Sequence, residues 1–261
     1  MLVTCHLSLV TGHCMSYLWI SLALGMVAGL ANMLGGVIVT ARPWRRSFLA
    51  TFIAFGSGFM LATTITVMIP ESFERMQEAR AAIWILVGYF IVHVFEHSLP
   101  AHFHFGEETH AEEFLHAGVA YAALGGLLTH TFFDGVLIAC GFMISNWLGI
   151  VAFGAVILHS IPEGFTMASV MAAAKKSRAA GMWAVAGLGM SRIAGILAMA
   201  VANRWVNYGL ALSAGVTLYV AASDLIPEVN KLPGPRVALT VGAGVALVLL
   251  LRFCFFGSVV P

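Results

Sequence analysis

The chain has 261 residues, 60% of them hydrophobic and 10% charged, with a formal net charge of +1. Charged residues make up about a quarter of an ordinary soluble domain, so this composition excludes a water-soluble globular protein and defines an all-α, multi-pass membrane chain. The near-neutral balance carries no argument for a nucleic-acid partner and none is expected; the partner composition does imply is the lipid bilayer.

Eight apolar runs separated by polar breaks fall at roughly 17–40, 48–70, 81–99, 117–142, 147–172, 180–203, 205–227 and 237–259. Residues 1–16 read as an extramembrane tail without a basic n-region, so the first span is expected to serve as its own insertion signal. Cys5 and Cys14 in this tail, with Cys140 and Cys254, show no CxxC spacing, which argues against disulfide or catalytic roles. An even number of spans puts both termini on one side. The loops after spans one, five and seven hold Arg42, Arg45, Arg46, Lys175, Lys176, Arg178, Lys231 and Arg236, whereas the opposite loops hold Arg75, Arg80 and Arg204. This asymmetry places the first set in the cytoplasm and both termini outside; a cell (inner) membrane is the expected location.

Span two carries Gly58-Phe59-Met60-Leu61 leading to Ile69-Pro70-Glu71. Span seven carries Gly215-Val216-Thr217-Leu218 leading to Ile226-Pro227-Glu228, again with twelve residues from Gly to Pro. Five spans apart, the two cross in opposite directions, which is an inverted repeat of the kind that builds secondary transporters. Asp224 and the two Ile-Pro-Glu glutamates lie near span ends, where interfacial solvation is expected. From the end of span three to the start of span four, His93, His97, His102, His104, His110 and His116 are interleaved with Glu96, Glu107, Glu108, Glu112 and Glu113. The topology makes residues 100–116 a cytoplasmic loop, and its histidine bias favours metal-binding or regulatory character over a solvated acidic connector.

Spans four and five hold the chemistry. Thr129-His130-Thr131-Phe132-Phe133-Asp134-Gly135 and Leu158-His159-Ser160-Ile161-Pro162-Glu163-Gly164 each place an imidazole and a carboxylate at i and i+4, one turn apart on one helix face. Pro162 lacks an N–H, frees the carbonyl of Leu158 and is expected to loosen the turn that carries His159. The short link Ser145-Asn146 makes the two helices antiparallel neighbours. His130, Asp134, His159 and Glu163 then converge as two nitrogens and two carboxylates, a set suited to Zn²⁺ and tolerant of Fe²⁺, Mn²⁺, Co²⁺ or Cd²⁺.

These motifs, with Leu218-Tyr219-Val220-Ala221 and Asp224-Leu225-Ile226-Pro227-Glu228, resemble a ZIP-family divalent metal transporter, most of all the bacterial-type branch, from about residue 17 to the end of the chain. The resemblance implies eight transmembrane helices in a 3+2+3 inverted-repeat arrangement (17–99, 117–172, 173–261), frequent homodimerisation, transport toward the cytoplasm and no catalytic cofactor. Many such relatives hold a second metal on an Asn after the fourth-span His, an acid after the fifth-span His and a sixth-span Glu. Those positions read here as Thr131, Ser160 and, by alignment of Gly189-Met190-Ser191-Arg192-Ile193-Ala194-Gly195, Ser191, beside which stands Arg192. All ligands peculiar to the second metal are therefore replaced, and Arg192 is expected to stand in for it over a mononuclear His130/Asp134/His159/Glu163 site. The main rival is an intramembrane zinc hydrolase; it would need a poised general base, and no His-Glu-x-x-His is present, so no enzymatic activity is expected.

Overall fold

The computed structural model describes residues 2–41, 46–98, 117–231 and 234–256. All regular structure among them is helical, and eight helices are long and apolar enough to cross a bilayer. Helices are what an apolar chain must form in lipid, where no solvent satisfies a free N–H or C=O. The first span belongs to a helix Leu2–Ala41. The backbone of the segment read as a tail is thus helical, and its side chains lie outside the described residues. The second span is Arg46–Thr63, continued through a π-helical turn Thr64–Met68 into Ile69–Arg75. The third is Glu78–Ser98, the fourth Ala117–Ile144, the fifth Asn146–Ala173 and the sixth Arg178–Val201. The seventh runs Val206–Tyr219, then π-helical Val220–Leu225, then Ile226–Asn230, and the eighth is Pro235–Phe256.

Span ends reflect the chemistry of their residues. Ser145 alone separates spans four and five, and its hydroxyl accepts from the Leu148 N–H at 3.1 Å, capping the fifth. Ser177 caps the sixth through the Ala180 N–H at 3.1 Å. Pro162 does not break the fifth span, which is continuous. The Leu158 carbonyl it frees is turned to span two, 3.4 Å from where a Cβ on Gly56 would stand; that neighbour's backbone lies close enough to offer a Cα–H contact in place of the lost hydrogen bond.

Close helix contacts are set by glycines whose missing Cβ makes room for a facing carbonyl. Spans one and five meet where Gly35 faces the Ile161 carbonyl and Gly164 the Asn32 carbonyl; spans four and six meet where Gly135 faces the Arg192 carbonyl and Gly195 that of Phe132. Spans two and eight meet at Gly58 and Gly244, and spans three and seven at Gly88 and Gly215, again glycine against carbonyl. Across the most apolar stretch of each span, 67% of the fourth is buried against 11% of the eighth, so the fourth is central and the eighth faces lipid. Leu30, Leu34, Ile83, Leu86, Trp183 and Leu239 are likewise exposed, as suits a bilayer.

Asp224 corrects one expectation. It is 2% exposed, buried rather than solvated. The π-helical stretch adds a residue to the turn, and each added residue rotates the remainder of the helix by about 100°, which turns a position near the span end inward. Glu71 behaves as expected near a span end: it is partly exposed and pairs with Arg75 at 2.6 Å.

Candidate metal transport site

His130 and Asp134 lie one turn apart on the fourth span, and the Ser145 turn brings the fifth span back beside them. The Nε2 atoms of His130 and His159 are 3.2 Å apart, His159 Nε2 is 3.2 Å from Asp134 Oδ2, and His130 Nε2 is 3.6 Å from the same oxygen. All three side chains are no more than 3% exposed. They are the one group among the described residues in which three or more metal-ligating side chains converge. Nδ1 of His159 donates to the Ala155 carbonyl at 2.8 Å. That bond fixes the tautomer of the neutral ring and leaves the Nε2 lone pair aimed at Asp134 and His130. That lone pair and the Asp134 carboxylate oxygen repel in a dry interior unless a proton on His130 Nε2 or a cation stands between them. Around a tetrahedral ion with bonds of about 2.1 Å, ligand atoms sit roughly 3.4 Å apart, which is the spacing found here.

Glu163 is buried but stands outside that group of three. Its Oε2 accepts from Asn32 Nδ2 at 2.7 Å and from Arg192 Nη2 at 3.2 Å, while Oε1 has no hydrogen-bonding partner. The Arg192 guanidinium, 0% exposed, also donates through Nη2 to Asp134 Oδ2 at 3.3 Å and through Nη1 to Asn32 Oδ1 at 2.6 Å. Arginine keeps its proton in any protein environment, so two carboxylates and one guanidinium with neutral imidazoles carry a net charge of −1. Arg192 thus lies between both acids, satisfying the need of three buried charges for mutual compensation.

The remaining positions singled out in the sequence are turned away from the ion's place. Thr131 Oγ1 donates to the Leu127 carbonyl at 2.9 Å, Ser160 Oγ to that of Val156 at 2.8 Å, and Ser191 Oγ to Leu128 of span four at 2.6 Å. On span six it is therefore residue 192, not 191, that reaches the cluster. His93 is half-buried with its ring edge-on to Phe90 and Tyr219, at 5.7 and 5.9 Å between centroids. The side chain of His97, and all of His102, His104, His110 and His116, lie outside the described residues.

Asn32 is the site residue that sequence reasoning missed. A lone amide between Ala31 and Met33 has no pattern of its own. The one signal in the chain was a comparison of spans one and six: Asn32 and Arg192 are 160 residues apart, and each stands three residues before a glycine, Gly35 or Gly195.

A multi-pass helical chain whose interior spans focus two imidazoles and a carboxylate on one buried point, beside a compensated second carboxylate, is a membrane protein built to handle a divalent cation within the bilayer. A family model described as ZIP zinc transporter matches residues 15–123 and 108–252, nearly the whole chain, and the protein belongs to that family. No curated protein sequence matches it. Membership makes divalent metal transport the activity of this fold, with the ion as substrate.

Proposed function

We propose that the protein carries Zn²⁺ toward the cytoplasm through a single-ion site formed by His130, His159, Asp134 and the Oε1 atom of Glu163, with Arg192 in the place a second metal takes in two-metal relatives. The observation that carries the reading is the Arg192 guanidinium lying between Asp134 and Glu163 at 3.3 and 3.2 Å. It compensates both acids while leaving Oε1 of Glu163 unpartnered. Thr131, Ser160 and Ser191 bind backbone carbonyls and serve as neutral fillers. The matched glycine contacts of spans one with five and six with four, and of two with eight and seven with three, support a 3+2+3 inverted arrangement around this site, and the Lys/Arg asymmetry of the loops supports both termini outside.

The test is uptake into liposomes holding the purified protein, with Zn²⁺, Fe²⁺, Mn²⁺, Co²⁺ and Cd²⁺ in competition, lipid hydrolysis measured in parallel, and metal titration of the detergent-solubilised protein. The expected result is metal uptake without hydrolysis, one bound ion per protomer, and loss of transport in His159→Ala and Glu163→Ala. Wild-type rates and affinity in both variants would sink the site assignment, and two tightly bound ions per protomer would sink the single-ion reading.

A further inference from the structure

The two shortest hydrogen bonds in the buried cluster both belong to Asn32, at 2.6 Å to Arg192 Nη1 and 2.7 Å to Glu163 Oε2. The direct links from Arg192 to the two acids are longer, at 3.2 and 3.3 Å. Arg192 Nε has no hydrogen-bonding partner, so the orientation of the guanidinium rests on Nη1 and Nη2 alone. One amide, acting as acceptor on one side and donor on the other, closes a ring of Asn32, Arg192 and Glu163.

Its placement is set by the backbone. Gly164 lies under the Asn32 carbonyl, so spans one and five approach until a side chain as short as asparagine reaches the carboxylate next to that glycine. The mirrored contact, Gly135 under the Arg192 carbonyl, sets Arg192 beside Asp134 in the same way. Spans one and six themselves touch at Gly29 and Gly189, with the Gly189 Cα 3.4 Å from where a Cβ on Gly29 would stand. Polar side chains between packed helices hydrogen-bond across them; both ends of this one go to charged groups of the proposed ion site.

Building on the single-ion reading above, we propose that Asn32 is a positioning residue of the transport site, holding the Arg192 fork and Oε2 of Glu163 in register so that Glu163 offers only Oε1 to the ion. Without the amide, Nη1 loses its acceptor and the guanidinium is free to close on Asp134, a ligand atom of the ion. Oε2 of Glu163 at the same time loses its strongest donor and the carboxylate its fixed orientation. Apparent affinity falls and discrimination among ions changes, while the helices that move the ion are untouched.

The experiment measures KM, Vmax and the competition of Cd²⁺ and Mn²⁺ against Zn²⁺ uptake in liposomes, per inserted protein, for wild type, His159→Ala, Asn32→Leu and the smaller, equally uncharged Asn32→Ala. Partners that orient metal ligands typically carry 10–100-fold effects, so KM is expected to rise about tenfold or more in both Asn32 variants, with an altered competition profile. If Asn32→Leu does not insert, Asn32→Ala decides: it removes both hydrogen bonds without adding charge or bulk. KM and competition within twofold of wild type, with only Vmax lowered in step with folded protein, would overturn the proposal and leave Asn32 a packing residue. Absence of metal uptake by wild type, or full uptake by His159→Ala, would instead overturn the single-ion reading on which it rests.

Discussion

Replacing Arg192 with methionine keeps most of the side chain's length and removes its charge and all its donors. Three buried acceptors then lose a partner: Asp134 Oδ2, Glu163 Oε2 and Asn32 Oδ1. Breaking a buried ion pair by removing one member costs about 3–5 kcal/mol, a large share of a total stability of roughly 5–15 kcal/mol. At about 2–4 °C per kcal/mol for a chain of this size, Arg192→Met is expected to lower Tm by roughly 6–20 °C in chelator-treated detergent solution. Zinc should reverse much of that loss. Two acids without a fixed cation bind a divalent ion more tightly, and an ion present at a hundred times its Kd stabilises by about 2.7 kcal/mol. The assay is thermal unfolding across a zinc titration, and the zinc-induced rise in Tm should be larger in the variant than in wild type. A variant with wild-type Tm in chelator and a wild-type zinc response would refute the placement of Arg192 as internal counter-ion.

Gly164→Ala and Gly135→Ala each drive a Cβ into a backbone carbonyl that cannot swing aside. Overpacking of this kind costs about 1–3 kcal/mol, to be read as a fall in Tm, whereas Gly242→Ala, where a Cβ meets nothing within 4 Å, should be neutral or slightly stabilising. Ligation requires His130 and His159 as neutral imidazoles; the KM for uptake should therefore rise as pH falls, and a flat profile down to the lowest pH at which the protein stays folded would contradict histidine ligation. Deletion of residues 100–115 should leave insertion intact and alter apparent affinity or regulation, and complete loss of transport in a correctly inserted deletion protein would show that the segment has a structural or catalytic part.

The spans were legible because hydrocarbon thickness imposes a length, and a run of apolar residues long enough to cross it has few other solutions. The imidazole–carboxylate pairs were legible because two helices carry them in the same order and a turn of one residue, Ser145, forces those helices together. Less could be read where the deciding contact joins residues far apart in the chain. Asn32 meets Arg192 and Glu163 across 160 and 131 residues, and a single amide in an apolar span carries no periodicity to announce it. The register of span six was ambiguous because Gly189 to Gly195 is mostly small and apolar; the side-chain hydrogen bonds show that residue 192 faces the cluster while Ser191 faces Leu128. The π-helical turns of spans two and seven differ from ordinary helix by one residue per turn, a change to which apolar composition is blind, and the second of them buries Asp224.

On the single-ion reading proposed above, the choice of residues at 32 and 192 sets how firmly the site holds its cargo. At about 5 Å, a unit charge pair interacts with roughly 3 kcal/mol at an effective dielectric constant near 20. Each unit of fixed charge in the cluster therefore changes the hold on a divalent ion by several kcal/mol, thousands of fold in affinity. With asparagine at both positions the two carboxylates would face the ion as −2, favouring tight binding and slow release. With arginine at both, the cluster would be neutral before the ion arrived and strongly positive afterwards, and binding would fail. One asparagine and one arginine give −1 before binding and +1 after. The ion still enters against a favourable charge, and the guanidinium repels it once seated, which lowers the barrier to release. A transporter turns over only if it releases what it binds, so the unequal pair trades affinity for rate. On this account Arg192→Met should bind zinc more tightly than wild type and transport it more slowly, a divergence of Kd and Vmax that loss of packing alone does not produce.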